Sequence, residues 1–510
     1  MKSLLFTVVS DILYRYFIMP LYLYIFRHPI NCFTLSTKQE FWDNVSKYRE
    51  MGMDPLRWVA GCAVKVDLDT VVYPSLHNLK PRLKQMGISL GERVDADIFP
   101  LTGDGPTITR RIYNPSDPQI DLDDLKQINP KRAISLLQVF QKNAEKQEKF
   151  QALLDTLYTS ISKSDVHFAV GKGHSIITGF PEAEFALFDF ISYEEGRSDG
   201  WCLSNNDTIQ IIDPTADPSS EQQTNVAISN SLNDLISLGC YEELKVSPVV
   251  DAPNEEIQNN ISKNMKTFAN QYGIELLPSE SPQRGKLLIG ATLFGTLRKE
   301  PPTKLDLLDT GMQILVTRPF GDLAPINVFL SCVADETFLQ DLEKTGYSLN
   351  DVQNAKNSVI STMNQPNLKV AEIINKYLPE FGSSFDINEH VLATGDLSGP
   401  GIMIFKEHAN NAGVDISLDN LPLRYPEFVK YATDNFLMDN ATAGTNGAVA
   451  VIASPNIISN ISSELKSSGY DPHVIGTVLG KGNGTVKISK DVNDMIASDV
   501  LLNQLTIGNE

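Results

Sequence analysis

From about residue 200 onward the hydrophobic positions of this chain switch repeatedly between a period of two and a period near 3.6. "DTIQIID" (207–213) alternates in the manner of a half-buried strand. "EQQTNVAISNSLNDLISLG" (221–239) carries its apolar residues at helical spacing and closes on Gly239. "KLLIGATLFGTL" and "MQILVTR" read as buried strands separated by a short loop. "FKEHANNAGVDISLDNLP" reads as a helix ending at Gly413, followed by a strand alternating Val414, Ile416 and Leu418. "GAVAVIASPNIISNISSELKSSGY" predicts a strand, then a helix with Ser454 as N-cap, Pro455 in the first turn and Gly469 past the end. "HVIGTVLGKGNGTVKI" predicts a hairpin turning at Gly482–Asn483–Gly484. Strands alternating with helices, plus hairpins, indicate an α+β fold of α/β layers.

The first 200 residues follow a different pattern. "DLDTVVYPSL" predicts a short helix capped by Asp67 and interrupted at Pro74, and turn signals follow in "LTGDGP" and "YNPSDP". "NPKRAISLLQVFQKNAEKQEKFQALLDTLYTSI" predicts one or two surface helices. Residues 3–26 are strongly apolar but interrupted by Asp11, Arg15 and Pro20. They fit neither a membrane span, which needs about twenty clean apolar residues, nor a signal peptide with a small-residue cleavage site. A packed or poorly ordered extension is the expectation here, ahead of membrane association.

Length and charge narrow the function. A chain of 510 residues divides into several domains, and a formal charge of −20 argues against a nucleic-acid surface, which needs a basic stripe. Five cysteines (Cys32, Cys62, Cys202, Cys240, Cys332) form no CxxC pair, so neither a disulfide framework nor a zinc site follows from their spacing. Sparse, unpaired thiols suit a reducing cytoplasm.

Three acidic residues stand out for chemistry: Asp213 in "IIDPTADP", Asp234 in "NSLNDLISLG" and Asp396 in "ATGDLSGPG". Taken singly, each is an ordinary turn or cap residue. Carboxylates arriving from separate elements can instead converge on a hard cation such as Mg²⁺, which takes oxygen ligands and bridges polyphosphate oxygens. Gly399 and Gly401 behind Asp396 would let backbone N–H groups approach a phosphate without a Cβ in the way. Near the start, "WVAGCAVKVD" sets Cys62 three residues before Lys65. A neighbouring ammonium lowers a thiol's pKa and favours the reactive thiolate. Cys62 alone would be read as a small buried thiol.

Six segments in order, "GCAVK", "IIDPTADP", "NSLNDLISLG", "LVTRPFG", "TGDLSGPGIMIF" and "DNATAGTNGAVAVIA", resemble selenophosphate synthetase (selenide, water dikinase). More broadly they resemble the superfamily that includes aminoimidazole-ribonucleotide synthetase, thiamine-monophosphate kinase and the hydrogenase-maturation dehydratase. The resemblance implies two α/β halves, with strands of the first half closing a barrel across a homodimer and the second half a mixed sheet with helices. It divides the chain into an apolar extension (1–53), a glycine/Cys-Lys loop (54–66), an insertion with helices (67–160), an N-terminal ATP-binding domain (161–308), a C-terminal domain (309–488) and a tail (489–510). It implies an ATP- and Mg²⁺-dependent phosphotransferase that makes selenophosphate, or a sulfur analogue, from ATP, a chalcogenide and water. In that scheme Cys62 handles the chalcogenide and Lys65 neutralises the transferring phosphoryl group. Asp213, Asn230, Gly399 and Gly401 contact the nucleotide together with Lys65, and Asp213, Asp234, Asp396 and Asp165 hold the metal, Asp199 competing with Asp165 for the last place.

Departures from the family pattern mark a divergent branch. Val64 stands where a second cysteine is frequent, Pro400 where an aromatic is usual and Arg318 where a lysine is common, and a long interval separates Lys65 from Asp165. Two rival readings stay open. One is an enzyme of the same fold with another acceptor; the other is an inactive paralogue that binds nucleotide as a sensor or partner subunit.

Overall fold

Strand β1 (Trp201–Ile209) sends alternate residues Leu203, Asn205 and Asp207 inward, so the strand begins on an apolar contact and becomes polar along the same face. The computed structural model describes residues 31–50, 200–209, 211–277, 287–334, 336–435, 437–438 and 440–496, with six short strands between 92 and 192. Helix α1 (Asn31–Glu50) precedes β1. After β1 come helix α2 (Glu221–Ser237), strand β2 (Glu242–Asp251), helix α3 (Glu255–Tyr272), the two-residue strand β3 (Glu275–Leu276) and strand β4 (Leu288–Leu297). The first sheet runs β1-β4-β2-β3, antiparallel except for the parallel β2–β3 pair.

The second sheet has six strands: β5 (Gln313–Val316), β6 (Ala393–Asp396), β7 (Val414–Leu418), β8 (Val449–Ala453), β9 (His473–Lys481) and β10 (Val486–Ile488). Their order is β6-β8-β5-β9-β7-β10. "LLIGATLFGTL" and "MQILV" are thus strands of two different sheets, although adjacent in sequence. The expected hairpin at 482–484 is also corrected. β9 and β10 do not pair with each other; they flank β7 on opposite sides, β9 antiparallel and β10 parallel. The reason lies in Asp415 of β7, whose Oδ1 accepts from Asn483 N and Thr485 N (3.1 and 2.9 Å) and draws the turn across the end of the strand.

Four helices fill the span between β5 and β6: α4 (Leu323–Ala334), α5 (Glu336–Glu343), α6 (Leu349–Met363) and α7 (Leu368–Lys376). The remaining helices are α8 (Met403–Ala412), α9 (Pro426–Asp434), α10 (Pro455–Ser467) and the single turn α11 (Lys490–Asn493). Helix α8 ends on Gly413 at φ 59°, and β7 alternates in burial as its apolar period requires. Pro455 opens α10 with Ser454 as the preceding residue, but the Ser454 hydroxyl makes no capping bond.

One apolar cluster joins the inner face of the first sheet to Leu315, Val449, Val451 and Ala453 of the second, with α2, α7 and α10 packed in it. A second fills the opposite face of the six-stranded sheet beneath α8. A third gathers α4, α6 and α9, and α1 docks there through Phe41 and Val45, both at most 1% exposed. Residues 31–50 of the N-terminal extension are therefore a packed helix; residues 1–30 lie outside the described residues. Among the described residues, no helix is long and apolar enough to cross a membrane. Cys240 and Cys332 are buried and stand outside any disulfide among the described residues.

Candidate active site

Helix α2 is fixed at both ends by its own sequence. Ser220 accepts from Gln223 N at 3.2 Å as N-cap, and Gly239, at φ 77°, lets the chain leave without strain. This sets the azimuth of three polar residues on the helix. Asn230 and Asp234, one turn apart, both face β1. Asn230 Nδ2 donates to Asp207 Oδ2, and Asn205 Nδ2 donates to Asp234 Oδ2 at 2.8 Å. Strand period and helix period thus interlock into a lattice of two carboxylates and two amides. Asn233, rotated about 100° from Asp234, faces the second sheet instead. Its Nδ2 donates to Asp396 Oδ1, at the end of β6.

Asp396 is held by its own loop as well. Ser398 donates to Asp396 Oδ1 through its backbone N (3.0 Å) and its hydroxyl (2.6 Å). Ser398 Oγ also receives Gly447 N at 3.2 Å, which ties the 396–402 loop to the 440–447 loop. Gly401 adopts φ 56°, and a Cβ there would meet Thr442 O at 2.5 Å. Its N–H donates to Leu397 O, so this glycine serves the packing of the two loops. Across the same loop, Arg318 makes a forked contact with Asp322 and donates to Asn446 O, a buried arrangement that fixes the turn into α4.

The structure therefore sets Asp207 and Asp234 in one lattice between β1 and α2 and Asp396 against Asn233 of the same helix, each carboxylate met by an asparagine amide. Asp207 and Asp396 are 2% and 4% exposed. Buried carboxylates need compensating partners, and this group lies where the two sheets' elements meet. Asn205 Oδ1 and Asn233 Oδ1 are buried without a hydrogen-bond partner among the described residues. Oxygen-rich surroundings with unsatisfied carbonyls fit a hard cation shared with phosphate oxygens. Among the described residues, no group of three or more His, Cys, Asp or Glu side chains is close enough to hold a metal by itself. Such a cation would draw part of its ligand shell from the nucleotide, as Mg²⁺ commonly does.

Asp213 is the main correction. β1 ends at Ile209, and Asp213 lies in the turn beyond it instead of at a strand end. Its Oδ1 accepts from Thr215 N at 2.9 Å, the side-chain turn that Asp before Pro214 favours, and its Oδ2 pairs with Lys356 Nζ at 2.6 Å. It serves that ion pair and does not join Asp234 and Asp396. Asp207 of β1, instead, shares the α2 lattice with Asp234. The signal was present in "SNNDTI", where polar Asn205 and Asp207 share the inward face with Leu203. Asp165, Asp199, Cys62 and Lys65 lie outside the described residues. Asn230 stands in the lattice, and Gly399 sits half-buried in the loop after Asp396.

No protein-family model matches the chain. It is 24% identical over 291 residues to selenide, water dikinase of Methanocaldococcus jannaschii, covering 56% of this chain and 80% of that one. Among solved structures it is similar to thiamine-monophosphate kinase from Stenotrophomonas maltophilia K279a, with TM-score 0.42, 15% identity and 66% and 96% of the two chains covered. It is also similar to the hydrogenase maturation protein HypE in complex with ATP, with TM-score 0.41, 14% identity and 58% and 83% covered. The chain is thus similar to selenide, water dikinase at 24% identity, consistent with a divergent branch, and its described residues form a mixed α/β protein whose larger sheets have four and six strands.

Proposed function

We propose that the protein is an ATP- and Mg²⁺-dependent phosphotransferase making selenophosphate, or its sulfur analogue, from ATP, a chalcogenide and water. The observation that carries this reading is the set of polar contacts on helix α2, which holds Asp207 and Asp234 in one lattice with Asn230 and Asn205 toward β1 and bonds Asp396 of β6 through Asn233. Similarity to selenide, water dikinase supports the acceptor, and "GCAVK" supports the nucleophile. ATP, selenide and water would yield selenophosphate, AMP and phosphate.

Asp207, Asp234 and Asp396 would hold Mg²⁺, with Asp165 a further carboxylate from outside the described region. When bound, Mg²⁺ would supply positive charge against that developing on the phosphoryl oxygens. Asn205 and Asn230 keep the two first-half carboxylates in place, and Ser398 keeps Asp396 aimed. Gly399, with no Cβ, would let the loop backbone approach the polyphosphate. Lys65 would pair with the transferring phosphoryl group, and Cys62, as a thiolate, would handle the chalcogenide. A homodimer closed through the first sheet fits β1 as its outer strand among the described residues.

The test is ³¹P NMR of the purified protein with ATP, Mg²⁺ and either selenide or sulfide. A new chalcogen-phosphorus resonance with AMP and phosphate is expected. Acceptor-independent hydrolysis to ADP, or no ATP consumption with either acceptor, would defeat the proposal.

A further inference from the structure

Helix α2 presents different residues to the two halves of the site. Asp234 faces β1, and the residue before it, Asn233, faces the second sheet. Asn233 is fully buried, and its Nδ2 reaches three oxygens there: Asp396 Oδ1, Ser398 Oγ at 3.3 Å and Ala448 O at 3.3 Å. A carboxylate, a hydroxyl and a peptide carbonyl converging on one point form the kind of oxygen socket that suits a hard cation. At the other end of the same amide, Oδ1 is buried without a hydrogen-bond partner among the described residues. An amide offers both donors and an acceptor, and burying the acceptor unmatched is costly unless it has another use.

We propose that Asn233 is itself a ligand of the site's cation and the tie that holds Asp396 to α2 until that cation arrives. The inference rests on the cation-dependent reading given above. In the arrangement described here, the Nδ2 protons of Asn233 occupy the socket and fix the Asp396 carboxylate against the helix that carries Asp234. Turning the amide about its last side-chain torsion withdraws Nδ2 from the socket and brings Oδ1 in its place. Asp396 exchanges an N–H for the cation and Oδ1 gains a partner, while Nδ2 gives up its three oxygens, a cost the bound cation must outweigh. Occupation of the first-half carboxylates is then linked to the second half through one residue, because Asn233 and Asp234 are consecutive on a rigid helix.

The experiment measures Mn²⁺ binding to the full chain by the loss of the free-ion EPR signal, alone and with ATP, and the melting temperature of each cation-free protein. Asn233→Ala removes the tie and the ligand, so its cation-free form melts lower and its Mn²⁺ affinity falls ten-fold or more. Asn233→Asp replaces the donor by a second carboxylate beside Asp396. Its cation-free form also melts lower, yet it keeps an oxygen ligand and binds Mn²⁺ at least as tightly as wild type. That divergence between stability and affinity is the signature. If Asn233→Ala folds and binds within two-fold of wild type, Asn233 is only a tie and the inference falls. If Asn233→Ala does not fold, Asn233→Asp decides: weaker binding than wild type overturns the inference. A wild-type protein that binds no Mn²⁺ with or without ATP removes the cation-dependent reading and this inference together. Normal wild-type binding with an indifferent Asn233→Ala removes this inference alone.

Discussion

Lys356 Nζ lies 2.6 Å from Asp213 Oδ2, and the two residues are 5% and 7% exposed. Lys356 comes from α6 and Asp213 from the loop between β1 and α2. The ammonium also donates to Thr215 Oγ1 at 3.1 Å and stands 4.8 Å from the Phe329 ring. A pair this buried gives little net stability, but removing one partner strands the other charge. Lys356→Met should therefore cost about 3–5 kcal/mol. Asp213→Asn combined with Lys356→Met should recover most of that loss in a urea titration. A single variant as stable as wild type would show the pair to be dispensable.

The same loop is held from the other side by α1. Asn44 Nδ2 donates to Thr215 O and Tyr48 Oη to Ala216 O, both at 2.9 Å, while Phe41 and Val45 pack into the third apolar cluster. Phe41→Ala should cost about 3–5 kcal/mol through loss of the buried ring. Protease cleavage between α1 and the body should rise in that variant, followed by gel after limited digestion. Unchanged cleavage and stability would mean that α1 contributes nothing to the loop.

How far the sequence could be read follows from which interactions are local. Helices α2, α8 and α10 announced themselves by period and by Gly239, Gly413 and Gly469, because a helix end is decided within a few residues. The placing of Asp207 depended on α2 returning across β1, a long-range contact that alternation alone does not reveal. Asp213 looked like a metal carboxylate because it read as the end of a strand; Lys356, 143 positions away, pairs with it. Helix α6 opens on a capping box, Ser348 with Asp351, but closes on Asn364 without the glycine that marks the end of α2. The turn at 482–484 had hairpin chemistry, and only the Asp415 carboxylate, far upstream, sends it across β7.

Lys406 supplies a pH dependence. It is buried on α8, donates to Gly484 O at 2.6 Å, and burial pushes its pKa down to about 8 against a weaker opposing pull from Asp415. The folded state gives up this proton at lower pH than the unfolded chain, whose lysine titrates at 10.5. The unfolded state then holds more protons between about 8 and 10.5, and stability must rise with pH across that window. The urea midpoint of wild type relative to Lys406→Met should increase from pH 7.5 to pH 10. A constant difference would place Lys406 in water.

Cys62→Ser should leave ATP binding intact but lower chalcogen-phosphate formation steeply, because a hydroxyl does not supply a thiolate's nucleophilicity at neutral pH. Lys65→Ala should lose about 3 kcal/mol or more of transition-state stabilisation, as with other single electrostatic donors, and Lys65→Arg should rescue little. Acceptor-dependent ATP consumption separates the two. A Cys62→Ser enzyme that turns over like wild type would reduce the thiol to packing and leave a broader ATP-dependent activity.

The most direct test of the site itself is calorimetric titration of MgATP into wild type, Asp207→Asn, and the Asp213→Asn/Lys356→Met double variant. Asp207→Asn should bind at least ten-fold more weakly, since it removes a carboxylate proposed to hold the cation, whereas the double variant should bind like wild type. Equal binding by Asp207→Asn, with loss in the double variant, would return the cation site to Asp213 and contradict the account.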